Sequence, residues 1–540
     1  MIQGLMMSIP LSISSLIEHA DRQHGSVQIV SRRVEGDVHR TTYRELHRRA
    51  RKMANALASL GIGPGDRVAT LAWNGYRHLE LYFAVSGFGA VLHTINPRLH
   101  PDHIGWIAQH AQDVALFYDH GFGPLAQAIA AAAPTVRHFV AMADHGHQPE
   151  AAAPPSVCYE DLIEANSDAF DWPQLDETSA SSMCYTSGTT GDPKGVLYSH
   201  RSTVLHSLAC ALPDAFNLSS RDTVLPVVPM FHVNAWGLPY AAPMVGAKLV
   251  FPGPRLDGRS LYELFEAEGV TITAGVPTVW QGVLSHVDAN QLKFSTLQRT
   301  VIGGSACAPT LLHALQERHQ VGVLHAWGMT EMSPLGAVGS LKASHMALSS
   351  AQRLAVQCKQ GRAPFPIQMK LIGPDGRELP WDGQTSGELL VRGPWIVREY
   401  FPGSPALQDG WFATGDMATI DPEGYMQITD RSKDVIKSGG EWISSIELEH
   451  IALSHPAVAG AACIAVRHPK WDERPLLVVV CKAGATVTRE ELLAHYAGKL
   501  ARWQIPDDVV FVDAIPLGAT GKMLKAQLRE RFRDHRMPGA

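Results

Sequence analysis

Cysteine is sparse in this chain of 540 residues. The seven thiols (Cys158, Cys184, Cys210, Cys307, Cys358, Cys463, Cys481) form no C-x-x-C pair and no cluster at zinc spacing. That excludes a disulfide framework and reads as reduced thiols of a cytoplasmic protein. Charge of one sign is not in excess either, with 46 basic against 52 acidic residues and a net charge of -6. Nothing here favours nucleic acid or an anionic membrane as a partner. No apolar run is long enough to cross a bilayer, and the opening "MIQGLMMSIPLSISSLIEHADRQHG" has no basic residue ahead of its apolar part and no cleavage site. A soluble, cytoplasmic protein is expected. Also missing is the Walker pattern G-x-x-x-x-G-K-[ST], which neither "GTTGDPKG" nor "PLGATGKM" satisfies. A P-loop NTPase is therefore disfavoured.

What is present is an alternation of strands and helices. A chain of this length exceeds the size at which one core stops growing, so at least two domains are expected. In "TTYRELHRRARKMANALASLGIGPGDRVATLAW", Thr42 and Glu45 have capping-box spacing, and Leu46, Met53, Leu57 and Leu60 recur at helical intervals. Gly61 ends that helix, and "DRVATLAW" reads as a buried strand. The rhythm continues through "HLELYFAVSGFGAVLHT", "VALFYD", "PLAQAIAAAA" and "HFVAMA", which predicts α/β architecture with mostly parallel sheets covered by helices. The stretch His147 to Val157 reads as a surface loop, because the same rhythm resumes after it.

From about residue 361 the pattern changes. "GELLVRG", "GWFATGDMATI" and "GYMQITDRSKDVI" are short strands between Gly and Asp turns, predicting a β-rich subdomain over 361–432. Beyond it, "SSIELEHIALSHP", "AACIAVRH", "LLVVVCKA", "TREELLAHYAGKL", "VVFVDAI" and "MLKAQLRERFRDH" alternate helix and strand in a compact α+β unit. The expected division is an N-terminal domain over 1–432 and a small mobile C-terminal domain over 433–540, with the boundary in "DRSKD".

One stretch stands out from this framework. "YTSGTTGDPKG", Tyr185 to Gly195, gathers three glycines, three threonines, a serine and a lysine in eleven residues. Glycine lets backbone N–H groups approach a ligand, the hydroxyls add donors and hard oxygen ligands, and Lys194 supplies one positive charge. A phosphate chain fits such a loop; so, taken alone, does a structural turn.

Read with "PMFHVNAWG", "GGSA", "AWGMTE", "GWFATGD", "DRSKDVIKSGGEWIS" and "PLGATGK", in that order from Tyr185 to Lys522, the loop resembles that of the adenylate-forming superfamily. That superfamily contains acyl-CoA synthetases, luciferases and the adenylation domains of peptide synthetases. The resemblance implies ATP and CoA as co-substrates and Mg²⁺ as cofactor. It implies that Thr186, Ser187, Gly188, Thr189, Thr190 and Lys194 hold the phosphates. Thr186 and Glu331 would hold the metal, and both offer the hard oxygens that Mg²⁺ prefers. Gly303, Gly304 and Ser305 would lie against adenine, with Trp327, Gly328 and Thr330 beside the nucleotide. Asp416 and Arg431 would bind the ribose. Lys522 would be the adenylation lysine, bridging the acyl carboxylate and the transferring phosphoryl group.

The same resemblance supplies the second half-reaction. Lys437, Ser438, Gly439, Gly440, Glu441 and Trp442 would line the path of the CoA pantetheine arm after rotation about a hinge at Lys433. His232 would act as a gate, with Trp236, Gly304 and Trp327 completing the acyl pocket. Indoles at Trp236 and Trp327 narrow that pocket and argue against very long chains. Each of these residues has an ordinary alternative: Glu331 as a helix-start acid, Asp416 as a turn former, Arg431 as a surface charge, the tryptophans as core. "VLHTINPRL", "VLYSHRSTVLHS", "KSGGEWIS", "HPKWDERPLL" and "ARWQIPD" narrow the likeness to the subgroup of medium-chain fatty acyl-CoA synthetases and 3-(methylthio)propanoate-CoA ligases. A thioether is nearly as apolar as the methylene it replaces, so the sequence does not separate the two substrates. A homodimer remains open. So does a stand-alone adenylation enzyme that loads a carrier protein in trans, although the chain shows no attached carrier motif.

Overall fold

The computed structural model describes the chain except residues 147–152, 187–191, 432, 439–440, 519–522 and 539–540. Among the described residues, the first two-thirds of the chain builds two helix-covered sheets. One has seven strands, in the order Val157–Cys158, His138–Met142, Asp113–Asp119, Arg67–Leu71, Val91–Thr94, Ala180–Tyr185 and Gly195–Ser199. All its pairs are parallel except the last, which is a hairpin. The other has eight strands and is parallel inside, with an antiparallel pair at each edge. The helix Tyr43–Ser59 starts where the capping spacing places it: the Thr42 side chain accepts the Glu45 N–H, and Gly61 follows the helix at φ +72°.

The inner strands read as continuous apolar runs because helices bury both of their faces. The helix Tyr76–Phe88 is buried along nearly its whole length, as expected of an element packed on every side. The His147 to Val157 loop needs a correction at its end. Val157–Cys158 is a short edge strand whose Val157 pairs with Val140, because the edge of the seven-stranded sheet leaves a ladder open there. Residues 147–152 of that stretch lie outside the described residues.

The change of pattern near residue 361 is a change of architecture. Gln368–Ile372, Gly387–Arg392, Trp411–Ile420, Leu407–Gln408 and Met426–Arg431 form an antiparallel sheet. The next strand, Ile436–Ser438, already belongs to a different sheet, with Glu441–Ile443, Asp472–Cys481, Val458–His468 and Asp508–Phe511. Two hydrophobic clusters drawn from residues 436–537 serve that sheet alone. Its helices are shorter than their sequence patterns suggest. Arg489–His495 is capped by Thr488 and followed by Gly498 at φ +76°, and Lys525–Arg531 begins only after Met523 has bridged to Leu517. No described helix is long and apolar enough to cross a membrane.

Candidate active site

The two parallel sheets and the antiparallel sheet meet around one cavity of about 900 Å³. The parallel strands contribute at their carboxyl ends, where Val228, Val276 and Gly303 follow Thr223–Pro226, Ile272–Gly275 and Arg299–Ile302. Open α/β sheets present ligand crevices at that edge. Thr186, Lys194, His232, Trp236, Gly303, Gly304, Trp327, Gly328, Thr330, Glu331, Arg431 and Lys433 all line this one cavity. Motifs up to 247 residues apart in sequence are thus brought together.

The loop that opens this list is the turn of a hairpin. Tyr185 ends one strand, Gly195 begins the next, and the two residues pair. Its neck is closed twice: Thr186 N–H donates to the Lys194 carbonyl at 2.9 Å, and Thr186 Oγ1 accepts the Lys194 N–H at 3.0 Å. Ser187, Gly188, Thr189 and Thr190 lie outside the described residues.

Glu331 sits in a 3-10 turn, Thr330–Met332, after the strand Gly322–Gly328. Only glycine fits at 328, since a Cβ there would lie 1.9 Å from the Pro334 carbonyl oxygen. That close approach folds the chain back and turns Glu331 to the cavity. Its Oε1 accepts the Tyr400 hydroxyl at 2.9 Å, and its carbonyl accepts Val397 N–H at 2.8 Å. Burial, then the Glu331 carboxylate, hold the Tyr400 phenol above its usual range, so it stays a donor. Thr186 and Glu331, a hydroxyl and a carboxylate that both line the cavity, are a donor set that fits Mg²⁺, which takes few protein oxygens and keeps waters and phosphates.

Asp416 is 2% exposed and lies directly behind the cavity, next to the lining residue Gly415. Arg431 Nε reaches its Oδ1 at 2.7 Å, and the indole N–H of Trp327 donates to its Oδ2 at 2.9 Å. A carboxylate has about four lone-pair sites, so two remain for further hydroxyls. Asp416 and Arg431 are direct partners in the strand register. Trp327 therefore both lines the cavity and holds the buried Asp416 carboxylate behind it.

At the other end, Val233, Asn234, Ala235, Trp236 and Gly237 have successive φ values of 46°, 50°, 47°, 57° and 78°, a left-handed turn. Such a conformation costs roughly 1–2 kcal/mol for each non-glycine residue. The buried Asn234 amide offsets part of this by donating to Ser182 Oγ at 3.0 Å, while Tyr82 donates to its oxygen at 3.4 Å. The turn swings Trp236 against Gly303, where a Cβ would stand 3.2 Å from the indole tip. Burial holds the neighbouring His206 down at about 3, so its neutral Nε2 accepts the Leu335 N–H.

Other expected residues are not at the cavity. Ser305 follows Gly304 without lining it. Lys437, Ser438, Glu441 and Trp442 form a hairpin of the small sheet that contributes nothing to the described lining. Ser438 Oγ instead accepts from Arg474, and Trp442 is exposed. Gly439, Gly440 and Lys522 lie outside the described residues. Conversely, Trp106, His110, Tyr400 and Phe401 line the cavity without any sequence signal marking them. "REYFPG" reads only as a strand running into a Pro-Gly turn.

A cavity lined by this hairpin neck, a T-E turn and Arg431, with Asp416 paired to Arg431 behind its wall, fits an enzyme of the adenylate-forming class. The chain belongs to the AMP-binding enzyme family, which matches residues 16–401, with the family's C-terminal domain matching 447–522. It is 54% identical to a 3-methylmercaptopropionyl-CoA ligase of Ruegeria lacuscaerulensis, over 98% of this chain and 99% of that protein. It is 52% identical to a medium-chain-fatty-acid–CoA ligase of Ectopseudomonas oleovorans, over 98% of each. Among solved structures, the anthranilate CoA ligase AuaEII in complex with anthranoyl-AMP superposes with a TM-score of 0.86 at 23% identity, covering 97% of this chain and 98% of that one. That likeness establishes the fold.

Proposed function

We propose that the protein is an AMP-forming acid:CoA ligase for a medium-chain fatty acid or 3-(methylthio)propanoate. The observation that carries this is the convergence of Thr186, Lys194, Glu331 and Arg431 on one cavity, in a chain 52–54% identical over its length to ligases named for those acids. In the first step a carboxylate oxygen of the acid attacks the α-phosphorus of ATP and pyrophosphate leaves. In the second, the CoA thiolate attacks the acyl carbonyl and AMP leaves, its phosphate taking the electron pair of the broken C–O bond.

Both reactants of the first step are anions, so charge compensation governs the rate. Lys194 lies on the hairpin neck facing the cavity, and Lys522 is assigned the bridge between carboxylate and phosphate. Thr186 and Glu331 would hold Mg²⁺, which neutralises phosphate charge when bound. Asp416, oriented by Trp327 and Arg431, accepts ribose hydroxyls. Gly304 lines the cavity beside the base, and Gly303 leaves room for the Trp236 indole. His232 and Trp236 bound the acyl end.

The division at 432/433 belongs to the same reading. Lys433 sits between the antiparallel sheet and the small sheet and lines the cavity, which suits a pivot that exchanges Lys522 for the 437–442 hairpin. We place the enzyme in the cytoplasm. Acid-dependent pyrophosphate release with CoA, measured across butyrate, octanoate, palmitate and 3-(methylthio)propanoate, tests the proposal. The highest kcat/KM is expected for octanoate or 3-(methylthio)propanoate, with palmitate well below. Pyrophosphate release independent of any acid, or thioester formation only on a carrier protein, would reject it.

A further inference from the structure

We infer that Tyr400 is a positioning residue that joins the phosphate-binding hairpin to the metal-holding carboxylate. This rests on the reading of Glu331 as a Mg²⁺ ligand. The two halves of the phosphate end come from different sheets: Lys194 from the hairpin of the seven-stranded sheet, and Glu331 from the turn between strands of the eight-stranded one. Among the described residues, no backbone ladder connects those two segments directly. The segment Val397–Phe401, entering from the antiparallel region, touches both.

Each of its contacts is specific. Val397 N–H donates to the Glu331 carbonyl at 2.8 Å, and Phe401 N–H donates to the Gly195 carbonyl, one residue past Lys194, at 2.9 Å. Between these anchors, the Tyr400 hydroxyl donates to Glu331 Oε1 at 2.9 Å. Its ring lies 4.7 Å from Lys194 Nζ. One side chain therefore orients an anion with its edge and a cation with its face. A carboxylate that accepts this hydrogen bond on Oε1 keeps its other oxygen for a cation, and an ammonium held over the ring is kept from collapsing onto Glu331. Direct pairing of Lys194 with Glu331 would otherwise consume the two charges the phosphate chain and its cation require. Outer hydrogen bonds of this kind fix ligand orientation, and their loss typically lowers metal affinity by about 10–100-fold.

The test uses the full-length enzyme and ATP binding by calorimetry, without acid or CoA. Tyr400→Phe keeps the ring under Lys194 and removes only the hydroxyl. The Mg²⁺ concentration for half-maximal ATP binding is expected to rise about 10-fold, while ATP affinity in EDTA changes less than about 2-fold. Tyr400→Leu removes the ring as well, and ATP affinity in EDTA is then expected to fall by about 3-fold. In a Glu331→Gln background, Tyr400→Phe should add nothing to the Mg²⁺ requirement, since it acts through that carboxylate. Melting within about 3 °C of the parent shows that the fold is kept.

An unaltered Mg²⁺ requirement in Tyr400→Phe, beside a raised one in Glu331→Gln, overturns the role of Tyr400 alone. A full effect of Tyr400→Phe in the Glu331→Gln background does the same. An unaltered requirement in Glu331→Gln removes the metal assignment, and the role of Tyr400 with it.

Discussion

The end of the cavity proposed to hold ribose and the end proposed to hold the phosphates are built differently. At the ribose end, Asp416 and Arg431 are register partners on adjacent antiparallel strands, and Trp327 reaches across to the same carboxylate. Backbone pairing fixes the two charged residues before any ligand arrives. At the phosphate end, Thr186 and Lys194 close a hairpin neck, Glu331 stands on a separate turn, and Tyr400 comes from a third region. Side chains hold that end together. The difference suits the chemistry: ribose is held unchanged through both half-reactions, whereas the phosphate chain is cut and pyrophosphate must leave.

Three changes test this contrast, in order of decreasing effect. Lys522→Ala removes the charge that the proposed function assigns to the phosphate end in the reacting state. Adenylation, followed as single-turnover pyrophosphate release, should slow by roughly 10²–10³-fold, while a supplied acyl-adenylate should still be converted to acyl-CoA. Equal loss of both steps would show that the ends are not separable. Asp416→Asn should raise KM for ATP by about 10–100-fold, because hydrogen bonds to a charged acceptor are each worth about 1.5–3 kcal/mol. The Mg²⁺ requirement should stay put, and a shift in it would break the contrast. Trp327→Phe deletes one N–H donor to Asp416 and keeps the ring, so a rise of about 5-fold in KM for ATP is expected. If kcat falls instead, Trp327 acts on the reacting atoms rather than on the ribose acid.

The ribose role of Asp416 and Arg431 rested on the resemblance of "GWFATGD" and "DRSKD" to a family, and their direct pairing across adjacent strands is a finding of the structure. Even there, the role of Trp327 in holding Asp416 was not readable: a contact across 89 residues leaves no local pattern. The loop Tyr185 to Gly195 stood out through its Gly, Thr and Lys, whose chemistry is local, and its phosphate role rested on the family resemblance. Tyr400 did not stand out, since a tyrosine at a strand end is ordinary until its partners are known. The left-handed run from Val233 to Gly237 was equally hidden. Three of its five residues, Val233, Ala235 and Trp236, are ones that avoid that conformation, and the buried Asn234 contacts, together with the packing of Trp236 on Gly303, favour it here.

The sequence by itself determined the alternation of buried strands and amphipathic helices, the capped helix starts, the switch to short strands near residue 361, and the residue types able to handle phosphate. Periodicity, capping and turn chemistry act over a few residues and are written where they act. Only the tertiary structure decided that three sheets would meet at one cavity and that Glu331 and Lys194 would share Tyr400. It also decided that Trp327 would face Asp416 and that the paired strands Ile436–Ser438 and Glu441–Ile443 would add nothing to the described lining. Those outcomes depend on crossovers between parallel strands and on close packing of distant segments, where the free energy of one contact is set by neighbours far away in the chain.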